Sequence, residues 1–158
     1  MPAINEDVIA FLRSRPIAML CTRDRENHPD AHESFIAEVT TDRVICLVPE
    51  HLAGRLPQNA LDNGDAALLI SRSPGDHRSV QLKGKITDLE QARFRAEFAP
   101  AVEPLLPMFT AYMPHGAARA MLDRMTRQPV FRVQLDVTQV FDQTPGPQAG
   151  RPIAGGAE

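Results

Sequence analysis

The 158-residue sequence predicts a mainly β fold: a six-stranded antiparallel barrel with an N-terminal helix, a crossover helix and a helical insertion before the last strand. Three observations predict it. The apolar runs "IAMLC" and "RVICLV" are short and are followed closely by turn-forming residues, as in an antiparallel meander. The stretches "SVQLKGKIT" and "VFRVQLDVTQVF" alternate apolar and polar residues with the period of two of a strand. Gly84 falls on the apolar side of the first of these, where a glycine marks a bulge or the sharp bend that barrels use.

The elements follow in order. In "NEDVIAFLRS", Val8, Ile9 and Leu12 recur at helical spacing, Asn5 is placed to cap, and acidic residues fill the first turn. Pro16 ends that helix. "PIAMLCT" is apolar at nearly every position and suits a strand buried on both faces. "RDRENHPD" is a turn cluster, and "AHESFIAEVT" is the second strand. "RVICLVP" is the third strand, again apolar on both faces. "PEHLAGRLPQN" leads into a crossover helix that ends at Asn63-Gly64, before the fourth strand "DAALLIS". The fifth strand places Gln81, Lys83 and Lys85 on its polar face.

"DLEQARFRAEF" reads as a helix opened by an Asp cap, and "HGAARAMLDRM" as another, with Pro100, Pro104 and Pro107 between them. Pro129 starts the sixth strand. Residues 1–142 form the expected barrel domain. Residues 143–158 form a Gly/Pro-rich tail, extended or flexible rather than packed as a regular element.

Bulk properties bound the function. Hydrophobic residues make up 43% and charged residues 23%, an ordinary globular composition. A net charge of −3, no Trp and one Tyr argue against nucleic acid as a partner. No apolar run approaches the roughly 20 residues of a membrane span. The N-terminus carries acidic residues where a signal peptide would be positive, so a cytoplasmic location is expected. Cys21 and Cys46 lie within apolar runs and read as buried reduced thiols. The five histidines form no HxH or HExxH spacing, so no protein-built metal site is expected. P-loop, GxGxxG and GxSxG patterns are absent.

The order of "AMLCTRDREN", "VICLVPEHLAGRLPQNALDNGDAALLI" and "HRSVQLKGKI" behind a leading helix resembles the pyridoxamine 5'-phosphate oxidase-like proteins, the FMN-binding split-barrel group. The resemblance covers about residues 5–90 and rests on a distributed pattern. It implies a homodimer with FMN at the subunit interface and an oxidoreductase of unknown substrate.

It also implies a phosphate site at the end of the third strand and the turn that follows, here Val48, Pro49, Gly54 and Arg55. Arg55 matches the family in type, and a guanidinium forks onto phosphate oxygens. Pro49 and Gly54 stand where Thr and Ser are typical. Backbone N–H groups are then expected to assist, and Arg55→Ala to weaken FMN retention. A solvated surface arginine is the alternative.

Gln81 and Lys83 are implied contacts to the flavin, against the alternative of a solvent face. Arg78 is placed to approach the phosphate from a loop end. His32 and Ser34 share a face of the second strand, which in the family runs beside the flavin. The family's C-terminal Trp has no counterpart, so oxidation of vitamin B6 is not carried over. A non-catalytic flavin- or haem-binding module is the alternative function. Haem would need His32, His51, His77 or His115 as an axial ligand, and a deazaflavin is a further cofactor alternative.

Overall fold

A computed structural model describes residues 4–14, 17–72 and 75–154. Helix α1 (Glu6–Arg13) is followed by strands β1 (Ile17–Arg23), β2 (Pro29–Val39) and β3 (Arg43–Pro49). A 3₁₀ turn at Glu50–Leu52 and helix α2 (Leu56–Asp62) then lead to β4 (Asp65–Ser71) and β5 (Ser79–Ala92). Helices α3 (Phe98–Val102), α4 (Leu106–Thr110) and α5 (His115–Met125) precede β6 (Val130–Asp142), and β7 (Pro152–Ala154) comes last.

All pairings are antiparallel. The strand order β3-β2-β1-β4-β5-β6 closes on itself because β3 also pairs with β6. The expected six-stranded barrel is therefore present. Asn5 caps α1, accepting a 2.9 Å bond from the Val8 amide. Gly64 ends α2 in the left-handed region, with φ +67°. That helix carries the chain from β3 past β2 and β1 to β4, and its Leu56 is fully buried in the core.

Two clusters hold the fold together. The barrel interior is filled by inward residues such as Leu20, Cys46, Leu68, Leu82 and Leu135, with Val8 and Leu12 of α1 packed into it. Burial pushes the Cys46 thiol up to about 12, so it is a core residue and no nucleophile at neutral pH. The second cluster lies outside the barrel. Phe35 of β2 and Leu47 of β3 meet Phe98, Val102, Leu105 and Leu122 of the helical insertion. This insertion covers the outer face of β3 and explains why that strand is apolar on both sides.

Three expectations need correction. β1 is not buried on both faces: Met19 is 41% exposed on its outer side, because the insertion covers β2 and β3 instead. Residues 88–97 are not helical, and α3 begins only at Phe98; residues 88–92 are strand. They extend β5, pairing from Asp88 opposite Gln134 to Ala92 opposite Val130. The ladder offered by β6 outweighs the local helix preference of "DLEQA". The tail also contains a regular element, since β7 pairs with Val140 and Phe141 of β6.

Candidate functional site

The outer face of β1, β4, β5 and β6 is the uncovered side of the barrel. Cross-strand pairing sets Cys21, Ala67, Lys83 and Gln139 in one row across it. The next row runs Met19, Leu69, Gln81 and Phe141. An open cleft of about 540 Å³ lies along this face, lined by Cys21, Arg23, Ala67, Lys83, Lys85 and Gln139 among others. Its floor is small because Cys21 and Ala67 carry little side chain.

Charge around the cleft is unevenly distributed. Arg23 and Lys85 both pair with Asp65 at its edge. Lys85, and Arg23 beside it, hold the Asp65 carboxyl below the usual carboxylate range. Lys83 has no ion-pair partner among the described residues. Its Nζ lies 4.9 Å from the centroid of the Phe141 ring. Gln81 is tied to the start of the tail, its Oε1 accepting a 3.2 Å bond from Gln143. A larger hollow of about 740 Å³ lies elsewhere, between Glu50, Arg93 and Arg127, and includes none of the residues singled out from the sequence.

Gly54 and Arg55 lie beyond the Arg23–Pro29 end of the cleft and do not line it. The Arg55 amide donates to Asp30 Oδ2 at 2.7 Å, and the Arg55 guanidinium lies 3.0 Å from Asp24 Oδ2. Asp24 is buried, and it also accepts from the His28 amide at 2.8 Å and lies 3.0 Å from His28 Nδ1. The His28 amide, with the His28 ring and Arg55, keeps the Asp24 carboxyl below its usual range despite burial. Asp24, Glu26 and His28 bring possible metal-ligand atoms within 4.8 Å of one another, but Asp24 already has these partners.

The other singled-out residues are dispersed. Val48 and Pro49 are buried. Arg78 pairs with Asp7 and lies 4.7 Å from the Phe11 ring centroid, joining β5 to α1. His32 and Ser34 point into the barrel. Ser34 donates to the Ala18 carbonyl at 2.9 Å. His32 is 1% exposed, with Nε2 3.1 Å from Thr22 Oγ1 and Nδ1 3.3 Å from the Leu52 carbonyl. Asn59 of α2 completes that network by donating to Thr22 Oγ1 at 2.9 Å. His51, His77 and His115 are exposed.

The fold thus brings Lys83 and Gln81 to one face and sets Arg55 apart from them. Lys85 was available from the sequence, because it continues the polar side of β5. The involvement of Asp24 and Asp30 carried no sequence signal, as both sit in an ordinary charged turn.

No family model and no curated protein matches the sequence. Solved structures do match. Group A Streptococcus HupZ is similar at 16% identity, over 93% of this chain and 99% of that one, with a TM-score of 0.51. A Clostridium acetobutylicum protein related to general stress protein 26 of B. subtilis, of the pyridoxinephosphate oxidase family, is similar at 11% identity, over 90% and 92%, with a TM-score of 0.54. The conserved hypothetical protein Rv2991 of Mycobacterium tuberculosis is similar at 16% identity, over 88% and 84%, with a TM-score of 0.52. Among the described residues no helix is long and apolar enough to cross a membrane. The closed six-strand order and the likeness to the pyridoxinephosphate oxidase family protein identify the fold of the chain as that of the pyridoxamine 5'-phosphate oxidase-like split-barrel proteins.

Proposed function

We propose that this chain binds a flavin in the outer cleft and acts as a flavin-dependent oxidoreductase. The observation that carries the reading is Lys83, a cation without an ion-pair partner beside a floor of small residues. A flat tricyclic ring needs a surface with few protruding side chains, which Cys21 and Ala67 favour. A bound flavin supplies the hydride or electron chemistry. Lys83 places positive charge where a reduced ring gains negative charge, which favours the reduced form. Thr138 and Gln139 at the rim offer hydrogen bonds to a polar ring edge.

FMN is the first candidate by resemblance. Its phosphate at Gly54 and Arg55 would meet Asp30, already on the Arg55 amide, and Asp24, already on Arg55 Nη2.

A homodimer is part of the same reading. Met19 and Leu69 are cross-strand partners on the outer face, 41% and 37% exposed. A second copy over them would bury this apolar pair and shield the cleft from water.

Flavin titration of the purified protein, followed by fluorescence quenching, tests the proposal. Saturable binding is expected, with Lys83→Gln weakening it about tenfold, as for the loss of one charge-assisted contact. Sedimentation of the same samples is expected to show two copies per particle. Binding unaffected by Lys83→Gln would place the ring elsewhere. Reduction of the bound flavin by NADH or NADPH separates an enzyme from a binding module.

A further inference from the structure

We infer that this chain takes its flavin without recognising a phosphate, because Asp30 stands in the phosphate's place at Gly54 and Arg55. The ligand class is then riboflavin-like, with an uncharged ribityl tail. This inference rests on the flavin reading above.

The hollow at Gly54 is already filled. Gly54 has φ +47°, and a Cβ built there would lie 2.6 Å from Asp30 Oδ2. A carboxylate oxygen therefore sits against the glycine where the oxygen of an anionic ligand would have to sit. The donor that would hold such an oxygen, the Arg55 amide, is bonded to the same Oδ2 at 2.7 Å.

The guanidinium is engaged as well. Arg55 Nη2 lies 3.0 Å from Asp24 Oδ2, and the Asp24 side chain is only 4% exposed. Arg55 can turn outward, but Asp24 cannot follow it into water. Moving the guanidinium onto a phosphate would leave a buried carboxylate with only His28 as a partner. No hydroxyl assists, since Pro49 and Gly54 have none.

The charge count points the same way. Asp24 sits on the guanidinium and Asp30 on the Arg55 amide, while His28 beside Asp24, and His32 with Nε2 3.8 Å from Asp30 Oδ2, add charge only if protonated. A phosphate dianion entering here meets like charge and an Arg55 amide already bonded to Asp30, an arrangement that selects against it. At the cleft itself, Arg23 and Lys85 are paired with Asp65. The junction is close to the ring site by sequence: Arg23 and Pro29 line the cleft, and Asp24 and Asp30 follow them directly.

The test compares riboflavin and FMN as ligands of the full chain by fluorescence quenching, in wild type, Asp30→Asn and Arg55→Ala. In wild type the two affinities are expected to agree within about threefold. Asp30→Asn is expected to tighten FMN about tenfold relative to riboflavin, as one repulsive charge leaves the hollow. Arg55→Ala in the wild-type background is expected to leave the ratio unchanged, the reverse of what a phosphate-binding arginine would do. A wild-type preference for FMN of about tenfold or more, lost in Arg55→Ala, would overturn the inference while leaving the flavin reading intact. An unchanged ratio in folded Asp30→Asn would also overturn it. Failure of both ligands to bind would overturn the flavin reading itself, and the inference with it.

Discussion

Gly84→Ala is expected to destabilise the barrel by about 3 kcal/mol, a large share of the roughly 5–15 kcal/mol usual for a domain. A Cβ at this position would lie 1.9 Å from the Asp136 carbonyl oxygen, 2.8 Å from its carbon and 3.0 Å from Val137 Cα. All three are backbone atoms of β6, so no side chain can move aside. The ladder between β5 and β6 also shifts register between Lys83 and Gly84. Relief would require the two strands to part where β6, bonded to both β5 and β3, closes the barrel. The urea midpoint of unfolding reads the effect. A loss below about 1 kcal/mol would mean that the strands are not this close, and that Lys83 is not held beside the cleft as described.

Thr22→Val is expected to cost about 2–4 kcal/mol although the two side chains are nearly the same size. Thr22 is 4% exposed, and its hydroxyl is shared by His32 and Asn59. With His32 Nδ1 bonded to the Leu52 carbonyl, Nε2 accepts from the Thr22 hydroxyl, whose oxygen in turn accepts from the Asn59 amide. Valine removes both bonds, leaving the buried Asn59 amide with no partner among the described residues and His32 Nε2 with only Asp30 Oδ2, 3.8 Å away. Asn59 Oδ1 already has no partner among the described residues, so the amide has nothing else to turn to. Asn59 connects α2 to β1 through this contact, and the variant should therefore loosen the Gly54–Arg55 junction at the start of that helix. Thermal unfolding measures the cost. Replacement of Thr22 by Ser, which keeps the hydroxyl, should recover most of it. Equal losses in the valine and serine variants would assign the cost to packing rather than to the network.

Features carried by local pattern were legible in the sequence. The alternation in β5 placed Gln81, Lys83 and Lys85 on one outer face, and the bend at Gly84 followed from its place on the apolar side. The doubly apolar β3 was legible too. Its outer partners, Phe98 and Leu122, come from an insertion more than fifty residues later in the chain.

Features that depend on a distant partner were not legible. Asp88–Ala92 looks helical in isolation, and only β6, 40 residues on, makes it a strand. The pairing of Asp30 with Gly54 and Arg55 is of this kind. A glycine and an arginine before a short helix suggest an anion site, and only the fold reveals that Asp30, near the start of β2, lies against them. His32 is a related case. Its alternation on β2 gave a face but not which face, and that face proved to be the barrel interior.

We propose that the uncovered face carries a flavin beside Lys83. The visible absorbance spectrum of the protein as purified, before and after addition of riboflavin or FMN, tests it most directly. The expected result is the pair of visible bands of an oxidised flavin, present on isolation or appearing on addition, retained through gel filtration and weakened in Lys83→Gln. A colourless protein that retains neither flavin after addition would contradict the account.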